Sequence, residues 1–249
     1  MRPLRIGCVK YLNARPLIHG WETPVEFDHP SALCRRLAAG ELDVAFVSSF
    51  EFLENPIYTI VDDVAVGADG PVESVFVAHQ MPLSEADEIQ IDPASRTSVN
   101  LLRCLLAQSG LSPRLTESGN ARARLLIGDQ ALRFHQQHGS EYNYCDLGAW
   151  WKAVTGLPFV FALWLIRPEV TAANAVADKL RARRDENLAQ LDDVIAAQRD
   201  FSPEFCQHYF RDCLRYRFAE REKEGLIKFR SLCERHGILP PNATPLRLA

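Results

Sequence analysis

Short apolar runs alternate with helix-like segments along the first half of this chain, at the spacing of βαβ units. The runs at residues 5–9, 43–47, 74–78 and 123–127 are rich in apolar and small residues. Strands of a parallel sheet are covered on both faces and read as continuous apolar runs, so the pattern predicts an α/β protein. A length of 249 residues suits either one large α/β unit or two lobes of ordinary domain size.

The end of the first run marks a place where a ligand can bind. The apolar residues 4–9 are followed by Asn13, three residues before Pro16, so the strand stops and the chain turns with polar groups displayed. In open α/β sheets, ligands bind at the carboxyl ends of the strands. Small polar residues recur at the other predicted strand ends and helix starts, namely Ser48, Ser49, Ser74, Ser95, Arg96, Thr97, Ser98 and Asp129.

These polar groups together indicate a site for a small anion. The first N–H groups of a helix lack intrahelical partners and carry partial positive charge, so they bind carboxylate or phosphate without many basic side chains. Taken singly, each serine is more simply explained as a helix cap, and Asn13 as a turn residue. Arg96 is equally consistent with a surface position and Asp129 with a helix cap. Their recurrence at successive strand ends favours the binding site.

Composition excludes several classes of function. The net charge of -4 and a pI near 6.0 are not those of a nucleic-acid-binding protein. The first ten residues contain no apolar core of signal-peptide length, and no later stretch resembles a membrane span. We therefore expect a cytoplasmic protein with a small-molecule substrate and with neither nucleic acid nor membrane as a partner.

Cofactor and metal motifs are missing from the sequence. The seven cysteines are scattered without a C-x-x-C pair, which predicts reduced and mostly buried thiols. Cys206, His208 and Cys213 lie close together, but helical spacing explains them as well as metal binding does. No glycine-rich nucleotide motif and no hydrolase elbow is present. The sequence therefore predicts no cofactor and no metal.

The last third of the chain has a different character. Residues 159–166 form the longest apolar run and suggest a strand crossing between lobes. Residues 171–236 carry apolar side chains at helical intervals, so we expect helices that pack back on the first lobe. The arginine cluster at 181–184 is followed by acidic residues, which favours a solvated helix face over a nucleic-acid site.

Six segments in consistent order resemble the chorismate dehydratase family of the futalosine route to menaquinone. The match runs from about residue 5 to about residue 167, and the ordered set is far more specific than any one motif. The segments are YLNARPL (11–17), DVAFVSSFEF (43–52), DGPVESV (69–75), SRTS (95–98), LIGD (126–129), and DLG with TGLPFVFALW (146–148 and 155–164).

The resemblance implies a two-lobed, periplasmic-binding-protein-like type II α/β fold with a helical C-terminal segment. Residues 1–80 with 168–249 would form the first lobe and 81–167 the second, closing around ligand by a hinge. It implies conversion of chorismate to 3-[(1-carboxyvinyl)oxy]benzoate and water, without a cofactor.

The resemblance also assigns roles to the candidate residues. Asn13 and Ser74 would be the catalytic or orienting groups beside the enolpyruvyl carboxylate. Because no histidine or lysine falls inside the matched segments, we expect this carboxylate itself to remove the ring proton. We also expect the helix start at residues 95–98, comprising Ser95, Arg96, Thr97 and Ser98, to bind the ring carboxylate. The cleft would further be lined by Ser48, Ser49 and Asp129.

Two other functions remain open on the sequence alone. One is a solute-binding or ligand-sensing protein of the same fold. The other is the related 1,4-dihydroxy-6-naphthoate synthase, whose N-terminal motif differs from the Tyr-Leu-Asn type found at residues 11–13. The motif therefore favours the dehydratase.

Overall fold

Two five-stranded sheets organise the molecule, as seen in a computed structural model that describes residues 3–93, 95–118, 121–241 and 244–249. The strands are β1 (Ile6–Val9), β2 (Val25–Asp28), β3 (Val44–Ser48), β4 (Thr59–Ala68), β5 (Val75–His79), β6 (Glu88–Gln90), β7 (Arg114–Thr116), β8 (Ala123–Ile127), β9 (Asn143–Asp146) and β10 (Phe159–Ile166).

Ten α-helices lie within these described ranges, and none of them is long and apolar enough to cross a membrane. They are α1 (Arg15–Ile18), α2 (Pro30–Ala38), α3 (Ser49–Glu54), α4 (Arg96–Gln108), α5 (Gly128–His138), α6 (Leu147–Thr155), α7 (Ala173–Ala189), α8 (Leu191–Ala196), α9 (Pro203–His208) and α10 (Glu220–Arg235). Short 3-10 turns cover Leu12–Ala14, Leu83–Glu85 and Gly139–Glu141, and a π-helical turn covers Tyr209–Cys213.

The first sheet has the strand order β2-β1-β3-β10-β4. β1 runs parallel to β2 and β3, with Ile6 opposite Val44, whereas β10 runs antiparallel to both β3 and β4. Seven of the eight residues of β10 are buried, so this strand is the apolar centre of the lobe. The rings of Phe46 and Trp164 pack there with their centroids 5.3 Å apart.

The second sheet has the order β7-β6-β8-β5-β9. β6 is parallel to β7 and β8, and β5 is antiparallel to β8 and β9, with Val77 facing both Leu125 and Cys145. The predicted two-lobed α/β architecture is therefore present, with one sheet in each lobe and helices packed around them.

The sheets divide the chain at other places than the predicted lobe bounds. The chain passes to the second sheet through residues 69–74 and returns through residues 147–158, which contain α6. The predicted bounds after residues 80 and 167 put β5 in the first lobe and β10 in the second. In the structure, β5 belongs to the second sheet and β10 to the first. An apolar run shows that a strand is buried but not which strands it pairs with. For this reason the run at residues 159–166 suggests a strand crossing between the lobes, whereas β10 lies inside the first sheet, between β3 and β4.

The C-terminal helices pack largely on the first lobe, as predicted. α7 lies against α1 and β4, and α10 lies against β10 and also reaches α4 of the second lobe. Two single bridges, Gly67 to Arg215 and Ile60 to Leu248, add backbone contacts that the helical pattern does not reveal.

The arginine cluster of α7 is not a solvated face throughout, which corrects the prediction. Arg184 is only 1% exposed and forms an ion pair of 2.9 Å with Asp63. Its guanidinium also donates to the carbonyl oxygens of Asp63 and Tyr216. Asp63 has a φ of 59°, a left-handed backbone conformation that residues other than glycine seldom adopt. Arg184 therefore stabilises a strained residue of β4.

Replacing Arg184 by alanine is expected to lower the free energy of unfolding by about 2 kcal/mol, because the carbonyl groups of Asp63 and Tyr216 lose a donor and Asp63 loses one of its two arginine partners. The neighbouring Arg183 is half-buried and pairs with the exposed Glu186, so Arg183→Ala is the matched control and should cost less than about 1 kcal/mol. Urea unfolding of both variants measures the difference. Equal losses would show that Arg184 has no special structural role.

Candidate active site between the lobes

A cavity of about 60 Å³ lies where the two lobes meet. Both sheets contribute to its walls, with β1, β3, β4 and β10 on one side and β8 and the start of α4 on the other. None of the described residues that line it is a lysine, arginine, histidine, aspartate or glutamate. Its polar side chains are those of Tyr11, Asn13, Ser48, Ser74, Ser95, Thr97 and Ser98.

Asn13 presents an amide to this cavity. It lies in the 3-10 turn that follows β1, and α1 begins at Arg15 with Pro16 in its first turn, so the strand end is held in a fixed turn. The Oδ1 atom of Asn13 is buried and has no hydrogen-bond partner among the described residues. A buried polar atom without a partner costs free energy, so Asn13 is suited to bind a polar ligand group.

Ser74 lies immediately before β5 and is fully buried. The hydroxyl of Tyr209 donates to Ser74 Oγ at 2.7 Å, which leaves the Ser74 proton available to a ligand. Burial raises the pKa of Tyr209, so its phenol stays protonated and remains a donor. Tyr209 is not among the predicted site residues, because its helical spacing marks it only as a core residue.

Asp146 holds the segment that carries Ser74. Its carboxylate accepts the N–H groups of Val72 at 3.0 Å and Glu73 at 2.8 Å, and it caps α6 by accepting the Ala149 N–H at 2.9 Å. Asp146 is not among the predicted site residues either, although an aspartate directly before a helix is the sequence signal of an N-cap. The two crossing segments are thereby joined beside the cavity.

The start of α4 faces the first lobe across the cavity. The hydroxyls of Ser48 and Thr97 form a hydrogen bond between the lobes, and the Phe50 N–H donates to Thr97 Oγ1 at 3.1 Å. Ser95 precedes the helix without capping it through its side chain. The first N–H groups of α4 therefore offer donors and partial positive charge beside Ser98.

Three residues predicted for the site, Ser49, Arg96 and Asp129, are not among those that line the cavity. The side chains of Ser49 and Arg96 are bound to groups of the first lobe instead. Ser49 is buried and donates to the Val160 carbonyl at 2.7 Å. Arg96 pairs with Glu51 at 3.0 Å and also with Glu54 of α3, so its charge is held by these carboxylates. The pattern locates helix starts but not the direction of each side chain, which depends on how the helices pack.

Asp129 is the third residue outside the cavity lining, but it connects the lobes. Its Oδ1 accepts the N–H of Leu12 at 2.7 Å, so the start of α5 is bound to the turn that contains Asn13. Burial raises the pKa of Asp129 above its usual value, and the bond from Leu12 opposes this shift.

Close approach of the lobes depends on Gly128. Its φ is +56°, and a Cβ atom at this position would lie 3.0 Å from ring carbons of Tyr11. The Gly128 N–H donates to the Ser74 carbonyl at 2.7 Å. Burial raises the pKa of Tyr11 to about 12, so this phenol also remains protonated at neutral pH. Tyr11 and Gly128 belong to two of the recognised segments but are not among the predicted site residues.

The cavity can therefore bind carboxylates through hydroxyl, amide and helix N–H groups. Its described lining supplies no charged acid or base. Glu73, His208 and Cys213 bring metal-ligating atoms together, but they are not among the residues that line the cavity.

The role of Asp129 predicts a dependence on pH. Because the pKa of Asp129 is raised on folding, its contribution to stability is present at low pH and is lost as pH rises through the folded-state pKa. Asp129→Asn keeps the acceptor for Leu12 without the buried charge, so at pH 7 it should be at least as stable as the wild type. Asp129→Ala leaves the N–H unpaired and should lose about 1–2 kcal/mol.

Urea unfolding of the three proteins at pH 7 and below pH 3.8, the ordinary aspartate value, measures these effects. At the lower pH the wild type and Asp129→Asn should converge, because both side chains are then neutral. A larger loss of stability in Asp129→Asn than in Asp129→Ala would contradict the interpretation.

Comparisons with known proteins agree with the fold and with the recognised segments. The family model described as menaquinone biosynthesis matches residues 4–235. A protein of Thermus thermophilus named chorismate dehydratase is 31% identical, with 92% of this chain and 94% of that protein covered. A protein of the same name from Campylobacter jejuni subsp. jejuni is 26% identical, covering 90% and 91%.

A solved structure supports the fold separately. The Candida albicans CA3427 gene product, described as having the generic periplasmic binding protein structural fold, matches with a TM-score of 0.68 at 12% identity. The match covers 97% of this chain and 92% of that one, which confirms the predicted periplasmic-binding-protein-like fold. Because the family model covers almost the whole sequence, the chain belongs to the menaquinone biosynthesis family.

Proposed function

We propose that this protein is a chorismate dehydratase, a carbon–oxygen lyase that converts chorismate to 3-[(1-carboxyvinyl)oxy]benzoate and water. The observation that carries the proposal is the 31% identity to a relative of that name over almost the full length of both chains. The cavity adds support, because its donors suit a substrate with two carboxylates.

The two carboxylates would be bound from opposite walls. The start of α4, with the hydroxyls of Ser95, Thr97 and Ser98, suits the ring carboxylate because its N–H groups and partial charge attract an anion. Asn13 and Ser74 would hold the enolpyruvyl carboxylate. Arg96 is omitted from this set because its guanidinium is paired with carboxylates of α3.

The reaction needs a base for one ring proton and a route for one hydroxyl group to leave. The enolpyruvyl carboxylate would take the proton, and the electron pair of the broken C–H bond would form the new ring double bond. The C–O bond breaks as the hydroxyl leaves, and the abstracted proton completes the water molecule. Formation of the aromatic ring drives the elimination.

The uncharged lining suits this use of the substrate's own carboxylate. No described residue that lines the cavity is an ordinary general base. Asn13 and Ser74 would then orient the carboxylate against the ring, and orientation of this kind is a large source of rate enhancement.

Substrate entry would require the lobes to separate. A cavity of about 60 Å³ has room for only about four water molecules, which is less than chorismate needs. The bonds from Leu12 to Asp129 and between Ser48 and Thr97 join the lobes and would have to open. This motion agrees with the hinge closure expected for the fold.

The direct test is incubation of the purified protein with chorismate, followed by mass spectrometry. We expect loss of one water from chorismate and appearance of the aromatic product in proportion to enzyme. Chorismate binding by calorimetry without turnover would instead indicate a binding or sensing protein. Lack of both would overturn the proposal and favour the naphthoate synthase alternative.

Substitution of the two orienting residues should affect turnover more than binding. Asn13→Ala and Ser74→Ala are expected to lower kcat by about 100-fold or more, the usual effect of removing one well-placed donor, while KM changes by much less. The matched controls are Asn143→Ala and Ser109→Ala, both at exposed positions outside the cavity. Wild-type kcat in both cavity variants would remove Asn13 and Ser74 from the mechanism.

A further inference from the structure

We propose that Glu73, His208 and Cys213 form a binding site for a divalent cation of the zinc type, outside the substrate cavity. One ligand atom from each side chain lies within 4.8 Å of the other two. A carboxylate, an imidazole and a thiolate are together a donor set that favours Zn²⁺ over Mg²⁺ or Ca²⁺. This site does not depend on which reaction the cavity performs.

The distances between donors agree with tetrahedral coordination. His208 Nε2 lies 3.1 Å from Glu73 Oε1 and 3.4 Å from Cys213 Sγ. Zinc bonds of about 2.0–2.1 Å to nitrogen or oxygen and about 2.3 Å to sulfur, at a tetrahedral angle, place N and O about 3.3 Å apart and N and S about 3.6 Å apart. The two separations in the structure are therefore within a few tenths of an ångström of those expected for a tetrahedral zinc site.

Asp212 orients the histidine for this role. Its Oδ2 lies 2.9 Å from His208 Nδ1, which leaves Nε2 directed at Glu73 and Cys213. A carboxylate on the outer nitrogen is the usual partner of a metal-binding histidine, because it sets the tautomer and the orientation of the ring.

The backbone conformation brings the three donors together. His208 ends α9, and Cys213 ends the following π-helical turn, so the two donors are five positions apart in the chain and face one point. Turns of this kind occur frequently at functional sites. Glu73 comes from the distant crossing segment and has a φ of 61°, which is uncommon for a residue other than glycine.

An ion pair alone accounts for only part of this cluster. An ion pair of His208 with Glu73 and Asp212 explains the two carboxylates. The Cys213 thiol, whose sulfur lies 3.4 Å from the same nitrogen and which also contacts Glu73, brings a third donor to this point. A cation uses all three donors at once.

The proposed cation site is open to solvent and lies beside the two segments that hold Ser74. His208 is 50% exposed and Glu73 33% exposed, so an ion can enter from solvent and keep a water as its fourth ligand. Glu73 precedes Ser74, and His208 precedes Tyr209, which bonds to Ser74. A bound cation would therefore link the two segments that hold Ser74.

The test uses the full-length, reduced protein after removal of metal with a chelator. Titration with Co²⁺ should show one bound ion per chain, the visible bands of tetrahedral cobalt and a cobalt–thiolate charge-transfer band. Added Zn²⁺ should displace the cobalt and raise Tm. Absence of stoichiometric binding would overturn the proposal.

Variants assign the ligands individually. Cys213→Ser should abolish the charge-transfer band, and His208→Ala should weaken binding by at least about 100-fold. Asp212→Asn should keep the band and weaken binding by about 10- to 100-fold, the usual effect of an outer-shell partner. Cys145→Ser removes the partly exposed thiol of β9, which is not part of the cluster, and should change neither.

Circular dichroism checks that each variant is folded. If Cys213→Ser is unfolded, Asp212→Asn decides the question, because it changes an exposed carboxylate that is not itself a ligand. Retention of the charge-transfer band in folded Cys213→Ser, or unchanged affinity in Asp212→Asn, would show that the cation binds elsewhere.

Discussion

The carboxylate of Asp146 is the interaction on which the arrangement of the two lobes depends. It accepts the N–H groups of Val72 and Glu73 in one crossing segment. It also caps α6 of the other crossing segment by accepting the N–H of Ala149. The two crossing segments also approach each other closely at Gly148 and Gly70, since a Cβ atom on Gly148 would lie 2.4 Å from the Gly70 carbonyl oxygen. The two connections are therefore packed backbone to backbone, and the end of one of them places Ser74 at the cavity.

Charges near the lobe boundary are neutralised outside the cavity. Arg96 is paired with carboxylates of α3, and Lys152 of α6 is paired with Asp69 in the first crossing segment. The described lining of the cavity thus contains only uncharged polar and apolar groups. In a site of low polarity, hydrogen bonds to a charged ligand are stronger than in water. Such a site favours binding through oriented donors, which is what the proposed elimination requires.

Ser74 connects the cavity with the proposed cation site. Its hydroxyl accepts from Tyr209 and its carbonyl accepts from Gly128, so the second lobe and the C-terminal segment determine its position. Glu73 and His208 are the residues directly before Ser74 and Tyr209 and face each other at 3.1 Å. The same pair of chain segments thus serves the cavity on one side and a cluster of metal-ligating atoms on the other.

The α/β class and the places where strands end in polar residues can be predicted from the sequence, because strand burial and helix starts are local patterns of apolar, small and capping residues. Asn13, Ser74 and the start of α4 were found in this way and do line one cavity. The folded structure is needed to place Arg96 against the carboxylates of α3, because the rotation of a helix against its neighbours sets the direction of its side chains. It is needed as well for the sheet membership of β5 and β10 and for the bond from Tyr209 to Ser74 across 135 residues. Contacts between distant segments depend on packing, and local periodicity carries no information about them.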